Sequence, residues 1–168
     1  MFQWAFLYAY AQEHGIDPYV QDVKYFERYA DDIKRMYGAG ISLGGLGIRN
    51  FVSVHVRRGD YVNNPFYIDL TKTDYYQKAM AIFPEEKFLV FSDDIGWCKQ
   101  QEIFQECQFS EGQNEVDDLN IMASCKNNIM ANSSFSWWAA YLNPNPNKIV
   151  VAPKPWYADG TERTACPK

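Results

Sequence analysis

The chain has 168 residues, 47% of them hydrophobic, and its 16 lysines and arginines against 21 aspartates and glutamates give a formal net charge of −5. This acidic balance argues against a general nucleic-acid-binding protein, which needs a basic face, although it leaves room for a local cationic pocket. Aromatic residues make up 17% of the chain, enough apolar area to argue against disorder. The length favours one compact domain.

Residues 1–50 are predicted to form a small N-terminal part, separate from residues 51–168. Within it, residues 1–15 and 21–37 are predicted helices, and residues 39–47 hold four glycines and indicate a linker. The chain has no run of about 18 apolar residues, and its apolar start lacks the basic residues of a signal peptide. We therefore expect a cytoplasmic protein, with peripheral attachment to a membrane as the alternative.

Cysteine and histidine are too few and too scattered to suggest a metal centre. The four cysteines show no CxxC spacing, and the only histidines are His14 and His55. We expect no metal and ordinary reduced thiols, while disulfides between these cysteines stay open as the alternative.

From residue 51 onward, strand-like runs alternate with helix-like runs. Short apolar runs predict strands at 51–56, 87–91, 129–131 and 148–152. Longer runs predict helices at 73–83, 95–105, 117–126 and 137–142. This alternation predicts an α/β fold, with a mostly parallel sheet and helices on both of its faces.

Three polar clusters fall at the ends of predicted strands: HVRRGD at 55–60, FSDD at 91–94 and ANSSFS at 131–136. Ligands of parallel α/β sheets bind beyond the carboxyl ends of the strands, so we expect the three clusters to converge on one crevice. The chain lacks both GxxxxGK[ST] and GxSxG, which argues against a P-loop NTPase and an α/β-hydrolase.

The first cluster offers two adjacent guanidiniums, Arg57 and Arg58. Their planar forks bond phosphate oxygens bidentately and stay charged at any working pH, which suits a pyrophosphate. The alternative is a solvated pair that forms a salt bridge with Asp60, and these residues alone do not decide between the two. Alternation along the strand sends His55 and Arg57 to the same face.

The second cluster ends in Asp93 and Asp94, directly before a predicted helix. A carboxylate there can accept two hydrogen bonds from a ribose diol or from a guanine edge. It can also cap the helix, a role for which aspartate is favoured, and on these residues alone capping is the stronger interpretation. A metal-binding pair of aspartates is a weaker alternative, because adjacent side chains diverge.

The third cluster, Asn132 to Ser136, precedes a tryptophan-rich helix. Free backbone N–H groups at a helix start attract an anion, and serine hydroxyls add donors. A capping serine is compatible with that role. Trp137 and Trp138 are expected in the core, whereas Asp117 and Asp118 are expected to face solvent or to cap their helix.

Four stretches in series resemble the α-1,2-fucosyltransferases, glycosyltransferase family 11. They are VSVHVRRGDY, FLVFSDDIGWCK, DDLNIMASCKNNIMANSSFSWWAAYLN and KIVVAPKPWY, which lie between residues 51 and 157. The opening MFQWAFLYAYAQEHG is also similar to that family's N-terminal helix. Four motifs in order and with sensible spacing identify a family far more specifically than any one of them.

The resemblance implies an enzyme of GT-B-like fold, in which residues 51–168 form a Rossmann-like GDP-sugar-binding domain and residues 1–50 are a reduced helical remnant. It implies GDP-fucose as the donor and a galactose-terminated glycan as the acceptor. Fucose would pass to the galactose 2-hydroxyl with inversion of its anomeric centre. No metal and no other cofactor would take part, and nucleic acid is not expected as a partner.

The resemblance also implies roles for the three clusters. Arg57 and Arg58 would hold the diphosphate, and Asp93 and Asp94 would face the guanosine. His55 would lie near the nucleotide or the reacting sugar. The remaining donor-binding positions are Asn132, Ser133, Ser134, Phe135 and Ser136.

Catalysis of this kind needs a fixed positive charge and a base. Arg57 would meet the negative charge that builds on the departing GDP, where one fixed donor contributes about 3 kcal/mol in the transition state. The acceptor hydroxyl must lose a proton, and His55 and Asp60 are both candidates for the base. The sequence does not choose between them, and either could instead orient an arginine.

The stretch at residues 16–50 is far shorter than the acceptor-side half that the resemblance implies, and the chain starts inside the family's N-terminal motif. The alternative to a transferase is therefore a non-catalytic remnant that binds a nucleotide sugar. A homo-oligomer, in which a second copy supplies the missing wall, is a third reading.

Overall fold

The computed structural model describes residues 47–160, which belong to a unit that begins at Gly47. The predicted helices at 1–15 and 21–37 lie outside the described residues, as does nearly all of the predicted linker. Within the range that the structure describes, no helix is long and apolar enough to cross a lipid bilayer.

Five strands form one parallel sheet. They are β1 Phe51–Val56, β2 Lys87–Ser92, β3 Gln108–Phe109, β4 Asn127–Ile129 and β5 Val150–Val151. Their spatial order is β3–β2–β1–β4–β5, and each pairing is parallel. Central Val54 pairs with Val90 on one side and Ile129 on the other. The predicted α/β fold is confirmed, whereas β3 was not predicted because two residues show no readable alternation.

Helices and turns connect the strands. They are α1 Tyr75–Met80, α2 Ile95–Cys98, α3 Glu115–Ser124 and α4 Ser134–Leu142, with 3₁₀ turns at Ile48–Asn50, Gly59–Tyr61, Leu70–Lys72 and Glu102–Phe104. α3 and α4 begin two and three residues earlier than predicted, because the side chains of Asn114 and Ser133 cap them. α1 is shorter than the predicted helix at 73–83.

The prediction of one continuous helix at 95–105 is wrong. α2 ends at Cys98, and Gln101 takes an extended conformation (φ −89°, ψ 129°) before the next 3₁₀ turn. The break carries Phe104 into the core, where 1% of the residue is exposed and its ring centroid lies 5.8 Å from that of Tyr76. Burial of this aromatic ring compensates for the helical hydrogen bonds that the break removes.

β4 lies two residues earlier than the strand predicted at its position, because it opens on two asparagines, which are typical of loops. Both are buried and hydrogen-bonded: Asn127 Oδ1 accepts from the Ile149 N–H at 2.8 Å, and Asn128 Nδ2 donates to Ser53 Oγ at 2.7 Å. Asn143 Nδ2 donates to Asn128 Oδ1 at 2.8 Å. Buried amides with partners can occupy the core of a sheet.

Helices cover both faces of the sheet. Val52, Val54 and Val56 of β1 are fully buried in one core cluster, which also contains Tyr76 and Ala79. The second cluster contains Phe51, Phe91, Ile121, Met122 and Ala139, from β1, β2, α3 and α4. Because successive residues of a strand point to opposite faces, α1 lies on one side of β1 and α3 and α4 lie on the other.

The cysteines in the described part of the chain, Cys98, Cys107 and Cys125, are free thiols. Burial raises the pKa of Cys98 and Cys107 to about 11 and that of Cys125 to about 12. These thiols are therefore protonated at neutral pH. Cys166 lies outside the described residues.

Candidate functional site

The three polar clusters meet at the carboxyl ends of β2, β1 and β4, which are neighbours in the sheet. The backbone N–H of Arg58, after β1, donates to Asp93 Oδ1, after β2, at 2.9 Å. The Tyr61 hydroxyl donates to the carbonyl of Asn132, after β4, at 3.1 Å. The structure therefore brings the clusters together, as the sequence predicted. We call this edge of the sheet the mouth.

Arg57 is held at the mouth by two carboxylates. Its Nη2 lies 2.5 Å from Asp60 Oδ1, and its Nη1 lies 3.0 Å from Asp93 Oδ2. Its Cζ lies 5.5 Å from the ring centroid of Tyr61, and 32% of the side chain is exposed. A guanidinium has five N–H groups, so these contacts fix its position and leave donors for a further anionic partner. The salt bridge to Asp60 that the sequence suggested is present.

Arg58 is instead packed among side chains of the protein. Its Nε donates to Asp94 Oδ2 at 3.1 Å, and its Nη1 donates to Thr71 Oγ1 at 3.4 Å. The guanidinium carbon lies 3.7 Å from the ring centroid of Trp97, and only 14% of the side chain is exposed. Adjacent arginines of the same chemistry therefore have different surroundings: Arg57 is presented to solvent, and Arg58 is enclosed by protein. We call Arg58 with these three partners the flank.

Asp93 joins the two arginines. One carboxylate oxygen accepts from the Arg58 N–H, and the other pairs with Arg57. This geometry requires glycine at position 59, because a Cβ on Gly59 would lie 2.3 Å from Asp93 Oδ2. The glycine of the HVRRGD cluster thus lets a carboxylate approach the backbone.

Asp94 caps α2, since its Oδ1 accepts from the Trp97 N–H at 3.1 Å, while its Oδ2 pairs with Arg58. The capping interpretation is confirmed for this residue. Both of its oxygens contact the protein itself. The guanosine contact expected of Asp93 and Asp94 stays a prediction.

His55 is buried at the end of β1, with 4% of the residue exposed and its ring centroid 5.5 Å from that of Phe135. Burial, assisted by the charge of Arg57, lowers the pKa of His55 from 6.5 to about 3, so its imidazole is neutral at any working pH. Its Nδ1 is buried without a hydrogen-bond partner among the described residues. A buried polar atom of this kind is costly unless a ligand or water satisfies it.

The third cluster is built mainly by its own hydrogen bonds. The Ser133 hydroxyl accepts from the Phe135 N–H, and the Ser136 hydroxyl binds the backbone of Ala131. The Asn132 amide donates to two other loops. Ser134, the first residue of α4, is half-buried, and its hydroxyl has no partner within residues 47–160. Ser134 is the member of this cluster whose hydroxyl is left for a ligand.

Sequence reasoning missed several residues that shape the site. Tyr61 and Trp97 lie against the two guanidiniums. Trp97 could not be identified from its neighbours in sequence, because its contact joins α2 to the loop after β1. Tyr61 lies only four residues after Arg57, at the end of the motif VSVHVRRGDY, so its position in that motif was the available signal. The expectation that Asp118 faces solvent or caps its helix is wrong. It is half-buried, its Oδ1 accepts from the Ser110 hydroxyl at 2.6 Å, and burial raises the pKa of its carboxyl.

A cavity of about 430 Å³ adjoins the flank and is lined by Thr71, Trp97 and Phe104 among others. It lies on the side of Arg58, and none of the mouth residues Arg57, His55 and Ser134 lines it. Within residues 47–160, no group of three or more His, Cys, Asp or Glu side chains is arranged to hold a metal ion.

Comparison with known proteins places the chain among glycosyltransferases. The family model described as Glycosyl transferase family 11 matches residues 4–166. The O-antigen biosynthesis glycosyltransferase WbnK of Escherichia coli is 40% identical over 120 residues, which cover 65% of this chain and 40% of WbnK. An alpha-1,2-colitosyltransferase of Escherichia coli is 42% identical over 120 residues, which cover 64% of this chain and 41% of that protein.

A mammalian relative is more distant. The galactoside alpha-(1,2)-fucosyltransferase 1 of Rattus norvegicus is 32% identical over 127 residues, which cover 67% of this chain and 33% of that protein. The chain thus spans about two fifths or less of the length of these curated relatives. No solved structure matches it.

Proposed function

Because the chain belongs to glycosyl transferase family 11, we propose that residues 47–160 form the donor-binding part of a GT-B-like enzyme that transfers fucose from GDP-fucose to the 2-hydroxyl of a galactoside. The names of its relatives include fucosyltransferases and a colitosyltransferase, which supports a sugar donor of this kind. The single observation that carries the proposal is Arg57, held by two carboxylates at an edge where three strand ends meet.

Departure of GDP places negative charge on its terminal phosphate. Preorganised cations and N–H dipoles stabilise such charge in proportion to how firmly they are held beforehand. Arg57 is held by Asp60 and Asp93, and the first turn of α4 adds backbone N–H groups and the Ser134 hydroxyl. We assign the phosphates to these groups and expect no requirement for a divalent ion.

Arg58 acts as a positioning residue in this proposal. Its contacts with Asp94 and Trp97 join the loop after β1 to α2. Its backbone N–H also holds Asp93, which in turn holds Arg57. This departs from the implied role of Arg58 as a second phosphate ligand, since its guanidinium is occupied by protein partners.

The transfer step is a single displacement with inversion. The acceptor oxygen bonds to the anomeric carbon while the bond from that carbon to the phosphate oxygen breaks, and GDP leaves with the electron pair. The acceptor proton goes to Asp60, whose side chain is 65% exposed beside Arg57. His55 is a weak base because its pKa is about 3, so we assign it a hydrogen bond to the donor through its unpartnered Nδ1.

Calorimetry of the full chain tests the donor assignment. We expect GDP and GDP-fucose to bind at least tenfold more tightly than ADP, with the same affinity in EDTA as in Mg²⁺. Equal affinity for GDP and ADP would contradict the guanine nucleotide. A strict dependence on Mg²⁺ would contradict the assignment of the phosphates to Arg57 and α4.

A second candidate is a nucleotide-sugar-binding protein without transferase activity. It is favoured by one observation, namely that Arg57 at the mouth suits a diphosphate, whereas His55 beside it is a weak base with a pKa of about 3. A transfer assay with radiolabelled GDP-fucose and lactose separates the two. Labelled trisaccharide supports the transferase, whereas tight GDP binding without any labelled product supports the second candidate.

A further inference from the structure

Tyr61 is the last residue of the 3₁₀ turn that follows the two arginines, and it is held at three points. Its N–H donates to the carbonyl of Arg58 at 2.7 Å. Its ring stacks on that of Tyr67, with the centroids 4.0 Å apart and an interplanar angle of 6°. Its hydroxyl donates to the carbonyl of Asn132 at 3.1 Å. Contacts at the backbone, the ring and the hydroxyl together restrict the side chain to one rotamer, so its position is set before any ligand binds.

The groups that hold Tyr61 are themselves anchored. Tyr67 forms an antiparallel bridge with Tyr157, which fixes the backbone that carries the stacked ring. Asn132 is only 2% exposed, and its side-chain amide donates to the carbonyl of Ile68 at 3.0 Å. The hydroxyl of Tyr61 therefore binds a loop whose own position is fixed.

Tyr61 also lies against the cation of the mouth. Arg57 Cζ is 5.5 Å from the centroid of the Tyr61 ring, within the distance at which a guanidinium is attracted to an aromatic face. Asp60 and Asp93 bind the two Nη atoms of the same guanidinium. The ring is a further support that uses none of the N–H groups of Arg57, so the N–H groups that the carboxylates leave free stay available for phosphate oxygens.

These contacts make Tyr61 a link between two halves of the mouth. Arg57 follows β1, whereas Asn132 directly precedes Ser133, the residue that caps α4. The sheet sets where both loops begin, and the Tyr61 side chain spans the gap between them. A diphosphate that contacts both halves is bound tightly only if their separation is correct beforehand.

The link does not depend on pH in the working range. Burial raises the pKa of Tyr61, so its hydroxyl keeps its proton and continues to donate to the carbonyl of Asn132. The neutral ring also adds no negative charge that would repel a phosphate.

We propose that Tyr61 is a positioning residue, which sets the guanidinium of Arg57 at the correct distance from the start of α4 so that both reach the same diphosphate. This inference rests on the proposed function, because it explains how two groups of that site act together. The hydroxyl fixes the distance to the loop before α4, and the ring restricts Arg57. Tyr61 acts through these groups and does not itself contact the donor.

The test compares GDP with GMP, which lacks the terminal phosphate, in calorimetry of the full chain. Tyr61→Leu removes both the ring and the hydroxyl, and we expect GDP affinity to fall about tenfold and GMP affinity less than about twofold. Tyr61→Phe keeps the ring and should weaken GDP binding about threefold, the effect of one neutral hydrogen bond. A merely structural role would weaken the binding of both nucleotides alike.

A second measurement asks whether Tyr61 acts through Arg57. In an Arg57→Ala background, the addition of Tyr61→Leu should change GDP affinity less than about twofold, because no cation is left to position. Tyr141→Leu is the matched control. The ring of Tyr141 also stacks on a neighbour, that of Trp137 with centroids 5.2 Å apart, but it lies in the last turn of α4. This variant should bind GDP and GMP like wild type.

Each outcome decides the inference. Unchanged GDP affinity in both Tyr61 variants overturns it, and so does an equal loss of GDP and GMP affinity. A further loss in the double variant also overturns it, because Tyr61 would then act without Arg57. If urea titrations show that Tyr61→Leu does not fold, Tyr61→Phe alone decides by the same criteria. A wild-type chain that does not bind GDP, or an Arg57→Ala variant that binds GDP like wild type, instead removes the proposed function and the inference with it.

Discussion

The mouth and the flank start from adjacent arginines and have opposite properties. At the mouth, Arg57 is one third exposed and its partners are carboxylates that hold it in place. At the flank, Arg58 is enclosed by Asp94, Trp97 and Thr71. Successive side chains at a strand end diverge, so one guanidinium is partly exposed to solvent and the other joins two elements of the fold. A pair of arginines in a sequence is therefore not evidence for two ligand contacts.

The largest expected effect tests the mouth. Arg57→Ala removes charge-assisted hydrogen bonds to the phosphates, and we expect GDP affinity to fall about 100-fold in calorimetry. The melting temperature should fall less than in Arg58→Ala, because Asp60 is 65% exposed and Asp93 keeps its hydrogen bond from the Arg58 N–H. Arg49→Ala, which removes an exposed arginine near the opposite end of β1, is the control and should bind GDP like wild type. A 100-fold loss in both variants would mean that general charge, and not the mouth, binds GDP.

The second prediction tests the flank. Arg58→Ala leaves Asp94 without its ion pair and uncovers Trp97, so we expect the free energy of unfolding to fall by about 2 kcal/mol in urea titrations. GDP affinity should fall less than tenfold, because the effect on the nucleotide passes through Asp93. The proposed difference between the two arginines is contradicted if Arg58→Ala weakens GDP binding as much as Arg57→Ala does and leaves the free energy of unfolding unchanged.

The third prediction concerns the residue that joins mouth and flank. Gly59→Ala forces Asp93 away from both arginines, because the new Cβ would lie 2.3 Å from its carboxylate. We expect a loss of about 1.5 kcal/mol in stability and a tenfold loss of GDP affinity, both from one added methyl group. Gly96→Ala is the matched control, since nothing lies within 4 Å of its Cβ. It should be neutral or slightly stabilising in α2. Equal effects of the two substitutions would rule out the clash.

The smallest expected effect is a pH dependence of the free energy of unfolding, which arises from His55, two residues before Arg57. The pKa of the His55 imidazole is 6.5 in the unfolded chain and about 3 in the folded chain. Between these two pH values, the unfolded chain therefore binds one more proton than the folded chain. Stability therefore falls as pH drops through this window, by about 1 kcal/mol between about pH 6.5 and 5.5. Well above pH 6.5, His55 is neutral in both the folded and the unfolded chain, so its contribution to stability no longer changes with pH. Urea titrations of His55→Gln should lack this slope, and an unchanged slope would place the titration elsewhere.

The sequence predicts the fold where elements are long and apolar. β1 and β2 follow from runs rich in β-branched and aromatic residues, FVSVHV and KFLVFS, and their parallel pairing is consistent with the helix between them. β3 escapes prediction because it is too short to show a period. α2 begins at residue 95 as predicted, but its end at Cys98 was not predicted. The course of the chain after Cys98 is decided by the burial of Phe104, a tertiary contact that no local pattern encodes.

Within the candidate site, the sequence predicted that the three clusters meet, but it did not predict the contacts of each side chain. Placement after strand ends identified Arg57, Asp93 and Asn132, because parallel strands direct their carboxyl ends to one edge. Which of the two arginines is enclosed depends on Trp97, whose position requires the folded α2. The bridge between Tyr67 and Tyr157 likewise joins segments that are far apart in the chain.

The buried asparagines of β4 determine where this short strand stops along its neighbours. A strand of three apolar residues could change its register between β1 and β5 at a small cost in free energy, because each apolar side chain would take the place of a similar one. Asn128 cannot slide, because its amide has partners on β1, α3 and the loop after α4. A shift would leave several buried polar atoms unpaired, at about 1–3 kcal/mol each. The loop that contains Ser133 therefore leaves the sheet at one fixed position next to the end of β1, and buried amides of the sheet set the start of α4 relative to the loop of Arg57.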